Sequence, residues 1–97
     1  MKIIIVNHRS EEHGPEDFEP YLVAEAKKAF EFMEDDFFRE LYSRRDGKGA
    51  VIVVEADSEE DARARMADLP LVKAGLLRCE YYPVKAFRAI KTAADLL

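Results

Sequence analysis

Two four-residue segments constrain the fold of this chain more than any other feature of its sequence. Residues 3–6 read Ile-Ile-Ile-Val and residues 51–54 read Val-Ile-Val-Val, so both are apolar and β-branched at every position. Because side chains alternate between the two faces of a strand, such a segment is apolar on both faces and is covered on both sides in a folded protein. The sequence therefore predicts two central strands, over about residues 2–7 and 50–56.

Apolar residues at helical spacing predict three helices, at about 20–34, 58–69 and 86–96. Pro20 suits the first turn of the first helix, and the near capping box that begins at Ser58 marks the start of the second. The last helix has an apolar side that we expect to dock on an apolar surface. The residues of this side are Phe87, Ile90, Ala94 and Leu97.

Two further strands complete the predicted sheet. Residues 37–44 are interpreted as a strand because they lead into the hairpin turn at residues 46–49, although the same segment also continues a helical stripe. Residues 76–83 predict the last strand, whose pairing Pro83 stops. The resulting order, β-α-β-β-α-β followed by a helix, is the split βαβ pattern of an α+β, ferredoxin-like fold with a four-stranded antiparallel sheet.

Two helices cover only one face of a four-stranded sheet, which leaves apolar side chains of both central strands without cover on the other face. Monomers rarely expose so large an apolar area. We therefore expect residues 1–97 to form a single domain that pairs with a second copy of itself through the open sheet face, as a homodimer.

The charge and cysteine content exclude several classes of protein. The formal net charge is −5, so the chain lacks the basic surface of proteins that bind nucleic acid or anionic membranes. Its one cysteine, Cys79, can form neither an intrachain disulfide nor a CxxC site. The N-terminal apolar run is too short for a signal peptide or a membrane span, and we expect a cytoplasmic protein.

No motif for a cofactor or a metal is present. The sequence contains no GxGxxG, P-loop, GxSxG or HExxH. His8, His13 and Cys79 lie too far apart in sequence to indicate a metal site. We expect a small-molecule ligand and no cofactor.

Four segments of the chain resemble two known families. They are residues 49–56 (Gly-Ala-Val-Ile-Val-Val-Glu-Ala), 58–62 (Ser-Glu-Glu-Asp-Ala), 68–76 (Asp-Leu-Pro-Leu-Val-Lys-Ala-Gly-Leu) and 82–84 (Tyr-Pro-Val). These segments are similar to the YciI-like and muconolactone isomerase-like families of the dimeric α/β-barrel superfamily, and residues 68–76 are the most specific part. The resemblance implies a ferredoxin-like protomer, face-to-face dimers, and a pocket between helices and sheet.

Two residues are candidates for catalysis. His8 lies in a loop directly after the first central strand, and histidine is easily tuned to act as an acid and a base near neutral pH. Glu55 ends the second central strand and would be a base with a raised pKa if it pointed into the pocket between helices and sheet. The alternatives are an exposed loop histidine and a carboxylate at the solvent rim.

Four residues are candidates for binding a substrate. Arg39 and Arg44 could each bind a substrate carboxylate through two hydrogen bonds, or they could be charges that keep an edge strand soluble. Tyr42 and Tyr82 could donate a hydrogen bond to an oxyanion, or they could serve in packing.

These patterns support two hypotheses of function. The first is a cofactor-independent isomerase or lyase that moves a proton on a small carboxylate or lactone held between sheet and helices. The second is a non-catalytic dimeric module that binds a ligand or assists another protein, because this fold hosts many functions. A cavity with an acid–base residue facing inward favours the enzyme, and a filled interior favours the module.

Overall fold

The computed structural model describes residues 1–96, in which four strands form one antiparallel sheet. The strands are β1 (Lys2–Arg9), β2 (Phe38–Ser43), β3 (Ala50–Glu55) and β4 (Leu77–Val84). The prediction that Pro83 stops the last strand is wrong, because Pro83 lies opposite Ile3 and Val84 opposite Lys2 in the sheet. Their order across the sheet is β2-β3-β1-β4, the ferredoxin-like order. The α+β class, the antiparallel sheet and the central position of both doubly apolar segments are therefore confirmed.

The described residues contain five α-helices: α1 (Pro15–Phe18), α2 (Leu22–Glu34), α3 (Glu59–Met66), α4 (Pro70–Lys73) and α5 (Arg88–Asp95). A 3-10 turn over Glu19–Tyr21 joins α1 to α2, so the first helical segment begins at Pro15, earlier than predicted, and has three parts. Ser58 caps α3 as predicted, since its Oγ accepts a hydrogen bond of 3.0 Å from the N–H of Asp61. None of the helices in residues 1–96 is long and apolar enough to cross a membrane.

The core lies between the helices and one face of the sheet. Ile3 and Ile5 of β1 and Ile52 and Val54 of β3 point toward the helices, and each is at most 2% exposed. Much of the helix side of this core is supplied by Phe32, Ala62 and Met66.

Three phenylalanines fill the end of the core where α2 leads into β2. The ring of Phe32 lies 5.0 Å from the ring of Phe37, edge to face, and 5.2 Å from the ring of Phe38. The rings of Phe37 and Phe38 stack at 5.5 Å. Aromatic pairs at these distances add to the stability that burial alone provides, so this cluster fixes the C-terminal end of α2 against the sheet.

The opposite face of the sheet carries the remaining apolar side chains of the central strands. Ile4 and Val6 of β1 and Val51 and Val53 of β3 lie on this face and stay partly exposed. The helices that follow β1 and β3 pack on the other face, as the sequence predicts.

The C-terminal segment leaves the body of the protein. Residues 85–87 follow β4 and lead into α5, so the predicted C-terminal helix is confirmed. Phe87 is 71% exposed and Ile90 is 66% exposed, so the apolar side of this helix is not buried within its own chain. Leu97, which was predicted to belong to this side, lies outside the described residues.

The hairpin between β2 and β3 depends on two glycines. Gly47 has a φ of 72°, a left-handed conformation that tight hairpin turns require. Gly49 has a φ of 153°, and a Cβ at this position would lie 2.0 Å from the backbone oxygen of Asn7. This close approach lets Asn7 Oδ1 accept a hydrogen bond of 2.6 Å from the N–H of Ala50, which ties the hairpin to the end of β1.

We predict that Gly49→Ala lowers the free energy of unfolding by roughly 3 kcal/mol or more, because backbone strain adds to a clash with backbone that is held in a sheet. Gly47→Ala is the matched control: it has a positive φ but nothing within 4 Å of the added carbon, so we expect a loss of about 1 kcal/mol. Urea unfolding followed by circular dichroism measures both, and equal losses would contradict the close approach of Gly49 to Asn7.

Candidate functional site

A cavity of about 550 Å³ lies between α2 and the sheet, at the end where β1 ends and β3 begins. Most of its wall is apolar, with Phe18, Leu22, Ala26, Ala29, Leu41 and Leu71 among the lining residues. The polar side chains at its wall are those of Asn7, Arg9, Glu25, Ser43 and Arg44. A few polar groups in an apolar cavity of this size are typical of small-molecule sites. No three His, Cys, Asp or Glu residues among residues 1–96 are grouped to hold a metal ion.

Glu25 supplies the one carboxyl group among the described residues that line this cavity. Its Oε1 accepts a hydrogen bond of 2.9 Å from the backbone N–H of Leu71. Burial raises the pKa of the Glu25 carboxyl above its ordinary value, and the hydrogen bond from Leu71 offsets only part of this effect. None of the ion pairs within residues 1–96 includes Glu25. The group is therefore a stronger base than an exposed glutamate.

Asn7 is a buried polar residue in the wall of the cavity, where it is 5% exposed. Its Oδ1 is occupied by the N–H of Ala50, and its backbone oxygen accepts a hydrogen bond of 3.2 Å from Nη1 of Arg44. The side-chain NH₂ group is the remaining hydrogen-bonding group of this amide. Asn7 can therefore donate a hydrogen bond to a ligand while its own position stays fixed.

Arg44 lies across the end of the sheet, between its two faces. Nη1 donates to the backbone oxygen of Asn7 and lies 2.9 Å from Nδ1 of His8, and Nη2 donates to Asp46 at 2.6 Å. Arg44 also lines the cavity. Of the four predicted binding residues, Arg44 is the one that the structure places at this cavity.

Arg9, which was not among the predicted candidates, also lines the cavity. Its guanidinium carbon lies 4.5 Å from the centre of the Phe18 ring, a cation–π contact. No ion pair within residues 1–96 includes Arg9. A guanidinium group without a carboxylate partner at the wall of an apolar cavity can bind an anionic group of a ligand.

His8 lies within β1 and not in a loop after it, because β1 continues to Arg9 in its pairing with β4. Its side chain is on the open face of the sheet, with Nε2 2.5 Å from Oε1 of Glu80. Since the guanidinium of Arg44 can only donate, Nδ1 of His8 accepts and Nε2 carries the proton given to Glu80. Both ring nitrogens are therefore engaged away from the cavity, and the catalytic role of His8 stays a prediction.

Glu55 also lies on the open face, and it does not point into the space between helices and sheet. Its carboxylate is 3.3 Å from the N-terminal nitrogen of Met1. It pairs with Lys2 in the sheet, so about 20 Å of β1 separates it from His8. With Arg39, Glu55 lines a shallow cleft of about 280 Å³ at this far end. The structure does not bring the two predicted catalytic residues together.

Tyr42 and Tyr82 are on the open face as well, each about half exposed. The hydroxyl of Tyr42 donates to Glu40 and that of Tyr82 donates to Glu80, both at 2.6 Å. These hydrogen bonds to carboxylates raise the pKa of both tyrosines. Neither residue lines the cavity, so their predicted contact with a substrate would require a site on the open face.

The sequence contains one signal that would have identified Glu25. Residues 22, 25, 29 and 32 follow one another at spacings of three and four, and the other members of this series are Leu22, Ala29 and Phe32. A carboxylate within the inner stripe of an amphipathic helix is uncommon unless it has a partner or a function. Arg9 carries no comparable signal, since an arginine at the end of a strand is ordinary.

Comparisons with known proteins give likeness in structure but not in sequence. No protein-family model matches the chain, and no curated protein matches it significantly. Several solved structures are similar to it, and two of them match over most of their length. One is 5-chloro-2-hydroxyhydroquinone dehydrochlorinase from Burkholderia phenoliruptrix AC1100, in complex with 2,5-dihydroxybenzoquinone, with a TM-score of 0.74, 14% identity, and coverage of 92% of this chain and 98% of that one.

The other is muconolactone isomerase, with a TM-score of 0.74, 15% identity, and coverage of 90% of this chain and 91% of that one. At these identities the likeness shows the fold. It confirms the ferredoxin-like fold that muconolactone isomerase shares; membership of the dimeric α/β-barrel superfamily and the YciI-like resemblance stay predictions.

We predict that Glu25→Gln raises the melting temperature at pH 7 by about 1–4 °C, a range reduced for solvent screening at a half-buried group. The folded state raises the pKa of Glu25 above its ordinary value of 4.5. Stability is therefore lost as pH rises from 4.5 to the folded pKa, and the neutral amide avoids this loss. The advantage should disappear below about pH 4, where the carboxyl is protonated in both states.

Glu31→Gln is the matched control, because Glu31 lies on the same helix with its side chain 63% exposed. Its melting temperature should stay near that of the wild type at every pH. Thermal unfolding followed by circular dichroism between pH 3.5 and 8 makes the comparison. A Glu25→Gln protein that is less stable at pH 7 would show that the carboxylate is stabilised where it lies.

Proposed function

We propose that this protein is a cofactor-independent enzyme, an isomerase or lyase, that moves a proton on a small oxygenated ring such as a lactone or a hydroxyquinone. The observation that carries the proposal is the half-buried carboxyl of Glu25, whose pKa is raised and which faces an apolar cavity with two guanidinium groups at its wall. Groups with a shifted pKa in a cavity are concentrated at catalytic sites.

Glu25 acts as the base and then as the acid. Its free oxygen removes a proton from a carbon next to a carbonyl, so a C–H bond breaks, an O–H bond forms, and the electron pair passes to the carbonyl oxygen as an enolate. Return of the proton to another carbon gives isomerisation, and loss of an anion from the neighbouring carbon gives elimination. A raised pKa makes the carboxylate a better match for both steps near neutral pH.

The groups around the end of β1 stabilise the negative charge that this step creates. The NH₂ group of Asn7 and the guanidinium groups of Arg9 and Arg44 are donors at the cavity wall. In an apolar cavity, hydrogen-bond donors that are already fixed in place stabilise a developing charge more strongly than they would in water. Arg44 is fixed from three sides, by Asn7, His8 and Asp46, so we infer that His8 acts through Arg44 and not on the substrate.

Three features support this choice of chemistry. The cavity volume suits a single ring with polar substituents. Its wall offers one acid–base group and several donors, which is what an enolate mechanism needs. Two of the similar structures belong, by their names, to a dehydrochlorinase acting on a chlorinated hydroxyhydroquinone and to an isomerase acting on a muconolactone.

We also propose that the protein works as a homodimer through the open sheet face, in the cytoplasm. The exposed apolar side chains of that face lie in its centre, and Tyr42 and Tyr82 stand at its two flanks. Pairing two such faces would bury the centre of each sheet at the usual spacing of packed sheets.

The dimer is tested by Val53→Asp, which puts a carboxylate in the centre of the open face. We expect this variant to sediment as an ~11 kDa monomer at micromolar concentration, while the wild type sediments at twice that mass, because a buried unpaired charge opposes association. Ala64→Asp, on the exposed side of α3, is the control and should stay dimeric. A wild type that sediments as a monomer would refute the homodimer.

The chemistry is tested by hydrogen–deuterium exchange in D₂O, with muconolactone as substrate and proton NMR as readout. We expect wild-type protein to catalyse exchange next to the carbonyl, and Glu25→Gln to be about 10²–10⁴-fold slower, which is the usual contribution of one acid–base group. Glu31→Gln should exchange at the wild-type rate. Arg44→Ala should lower kcat as well as raise KM, since its guanidinium both anchors the ring oxygens and stabilises the enolate charge.

A second measurement separates catalysis from binding. Titration with 2,5-dihydroxybenzoquinone, followed by its visible absorbance, reports whether the cavity binds an anionic ring. Binding that Arg44→Ala weakens, without any exchange on muconolactone or related lactones, would favour the non-catalytic binding module. If neither binding nor exchange is found, the cavity has no role with rings of this kind.

A further inference from the structure

A second, shallower space adjoins the cavity at the end of β1, and we name it the rim groove. It measures about 290 Å³, and its walls come from residues 9–15, between the end of β1 and the start of α1, and from Gly47 and Lys48 in the hairpin turn. Arg9, Pro15 and Gly47 also line the cavity, so the two spaces meet at these three residues. A ligand larger than the cavity therefore has room to extend into the rim groove.

Backbone hydrogen bonds hold the walls of the rim groove in place. The N–H of Arg9 donates to the oxygen of Lys48 at 2.8 Å, and the N–H of Ser10 donates to the oxygen of Leu76 at 2.9 Å. The first of these bonds joins the end of β1 directly to the hairpin turn. The groove is therefore part of the folded framework, and its shape is set before a ligand binds.

The guanidinium of Arg9 is the anion-binding group that the cavity and the rim groove share. Its central carbon lies 4.5 Å from the centre of the Phe18 ring, and Phe18 is buried against Leu71 and Leu76. A cation over a buried ring keeps a defined position. No ion pair within residues 1–96 includes Arg9. A planar guanidinium so placed is suited to bind a carboxylate of a ligand through two hydrogen bonds.

The charged side chains of the rim groove favour an anion. Arg9 and Lys48 carry positive charges, and Glu11 carries the one carboxylate among the described residues that line the groove. Lys48, like Arg9, is in no ion pair within residues 1–96. With His13 neutral, the groove carries a net charge of +1 on a chain whose net charge is −5. A local excess of positive charge on an acidic protein attracts an anionic group.

The spacing of residues along β1 sets the distance between a ring in the cavity and an anion in the groove. Asn7 and Arg9 point to the same face of β1, so their Cα atoms are about 7 Å apart. In the proposed function, the charged oxygen of the ring lies beside Asn7 and Arg44. An extended chain advances about 1.2 Å per bond, so about three to five atoms join the ring to a carboxylate at Arg9 and Lys48.

We propose that the substrate is a ring with a flexible side chain of about three to five atoms that ends in a carboxylate. The ring lies in the cavity beside Glu25, and the carboxylate lies in the rim groove, bound by Arg9 and Lys48. This inference rests on the proposed function, and it adds the class of substituent that the ring carries and the residues that recognise it. Lys48 lines the groove but not the cavity, so it acts on the side chain alone.

A set of three ligands tests the rim groove. The first is 2,5-dihydroxybenzoquinone, the second carries a 3-carboxypropyl chain on its ring, and the third carries the matching carboxamide chain. The carboxamide has nearly the same shape as the carboxylate but no charge. In titrations followed by visible absorbance at neutral pH, wild-type protein should bind the acid about tenfold more tightly than the amide.

Lys48→Gln removes one positive charge from the rim groove, and Lys48 is exposed, so the variant should fold. We expect the preference for the acid over the amide to fall to about threefold or less, through weaker binding of the acid. Lys85→Gln is the matched control, because it removes the same charge after β4, at the opposite end of the sheet. It should keep the preference of the wild type.

Turnover gives an independent readout. With a γ-lactone that bears the same carboxypropyl chain, hydrogen–deuterium exchange in D₂O is followed by proton NMR. Lys48→Gln should raise KM about threefold and leave kcat near the wild-type value, because Lys48 binds the substrate and the transition state alike. A fall in kcat without a change in KM would place Lys48 at the reacting ring and overturn its role at the side chain.

The outcomes separate this proposal from the proposed function. If wild-type protein binds 2,5-dihydroxybenzoquinone but binds acid and amide equally, the role of the rim groove is overturned and the proposed function stays intact. A preference that Lys85→Gln lowers as much as Lys48→Gln does would reflect overall charge and would also overturn it. A preference that Lys48→Gln lowers and Lys85→Gln does not, without exchange on the chain-bearing lactone, would support the rim groove and refute the proposed enzyme.

Discussion

The pairing of β1 with β3 is the interaction on which the rest of this structure depends, and hydrophobicity alone does not fix its register. A slip of one residue normally moves apolar side chains to the solvent face, but strands that are apolar on both faces suffer no such penalty. The observed register is instead held at its two ends. Asn7 Oδ1 binds the N–H of Ala50 at one end, and the N-terminal nitrogen of Met1 donates to the oxygen of Ala56 at 2.8 Å at the other.

The cavity follows from an uneven distribution of side-chain size beneath α2. At the C-terminal end of the helix, Phe32 meets two further phenylalanines and the space is filled. Toward the N-terminal end, Ala26, Ala29 and Ala50 line the space, and these small side chains leave it open. The aromatic cluster therefore holds α2 away from the sheet, and the alanine side chains are too small to fill the space that this leaves. A carboxyl placed in this open end, as Glu25 is, loses part of its hydration and becomes a base.

The fold could be predicted from the sequence because its signals are strong and local. The doubly apolar segments fixed the two central strands, and the turn at residues 46–49 decided between strand and helix for residues 37–44. The orientation of the candidate site residues could not be predicted by the same reasoning. When both faces of a strand are apolar, the pattern of apolar and polar residues does not show which face the helices cover. His8 and Glu55 therefore had equal chances of pointing into the pocket. His8 points to the same face of β1 as Ile4, and Glu55 points to the same face of β3 as Val53. Both side chains therefore lie on the open face.

The separation of charges across the cavity decides what kind of ligand suits it. Glu25 approaches from the helix side, whereas Arg44 and Asn7 approach from the end of the sheet. A ligand anion beside Glu25 would raise the pKa of that carboxyl further and hold it protonated. An anion at Arg44 is across the cavity from Glu25, so the distance weakens its effect on the pKa of Glu25. The carboxylate of Glu25 then stays free to accept a proton. The geometry therefore favours a ring whose negative oxygen lies at Arg44 and whose acidic C–H bond faces Glu25.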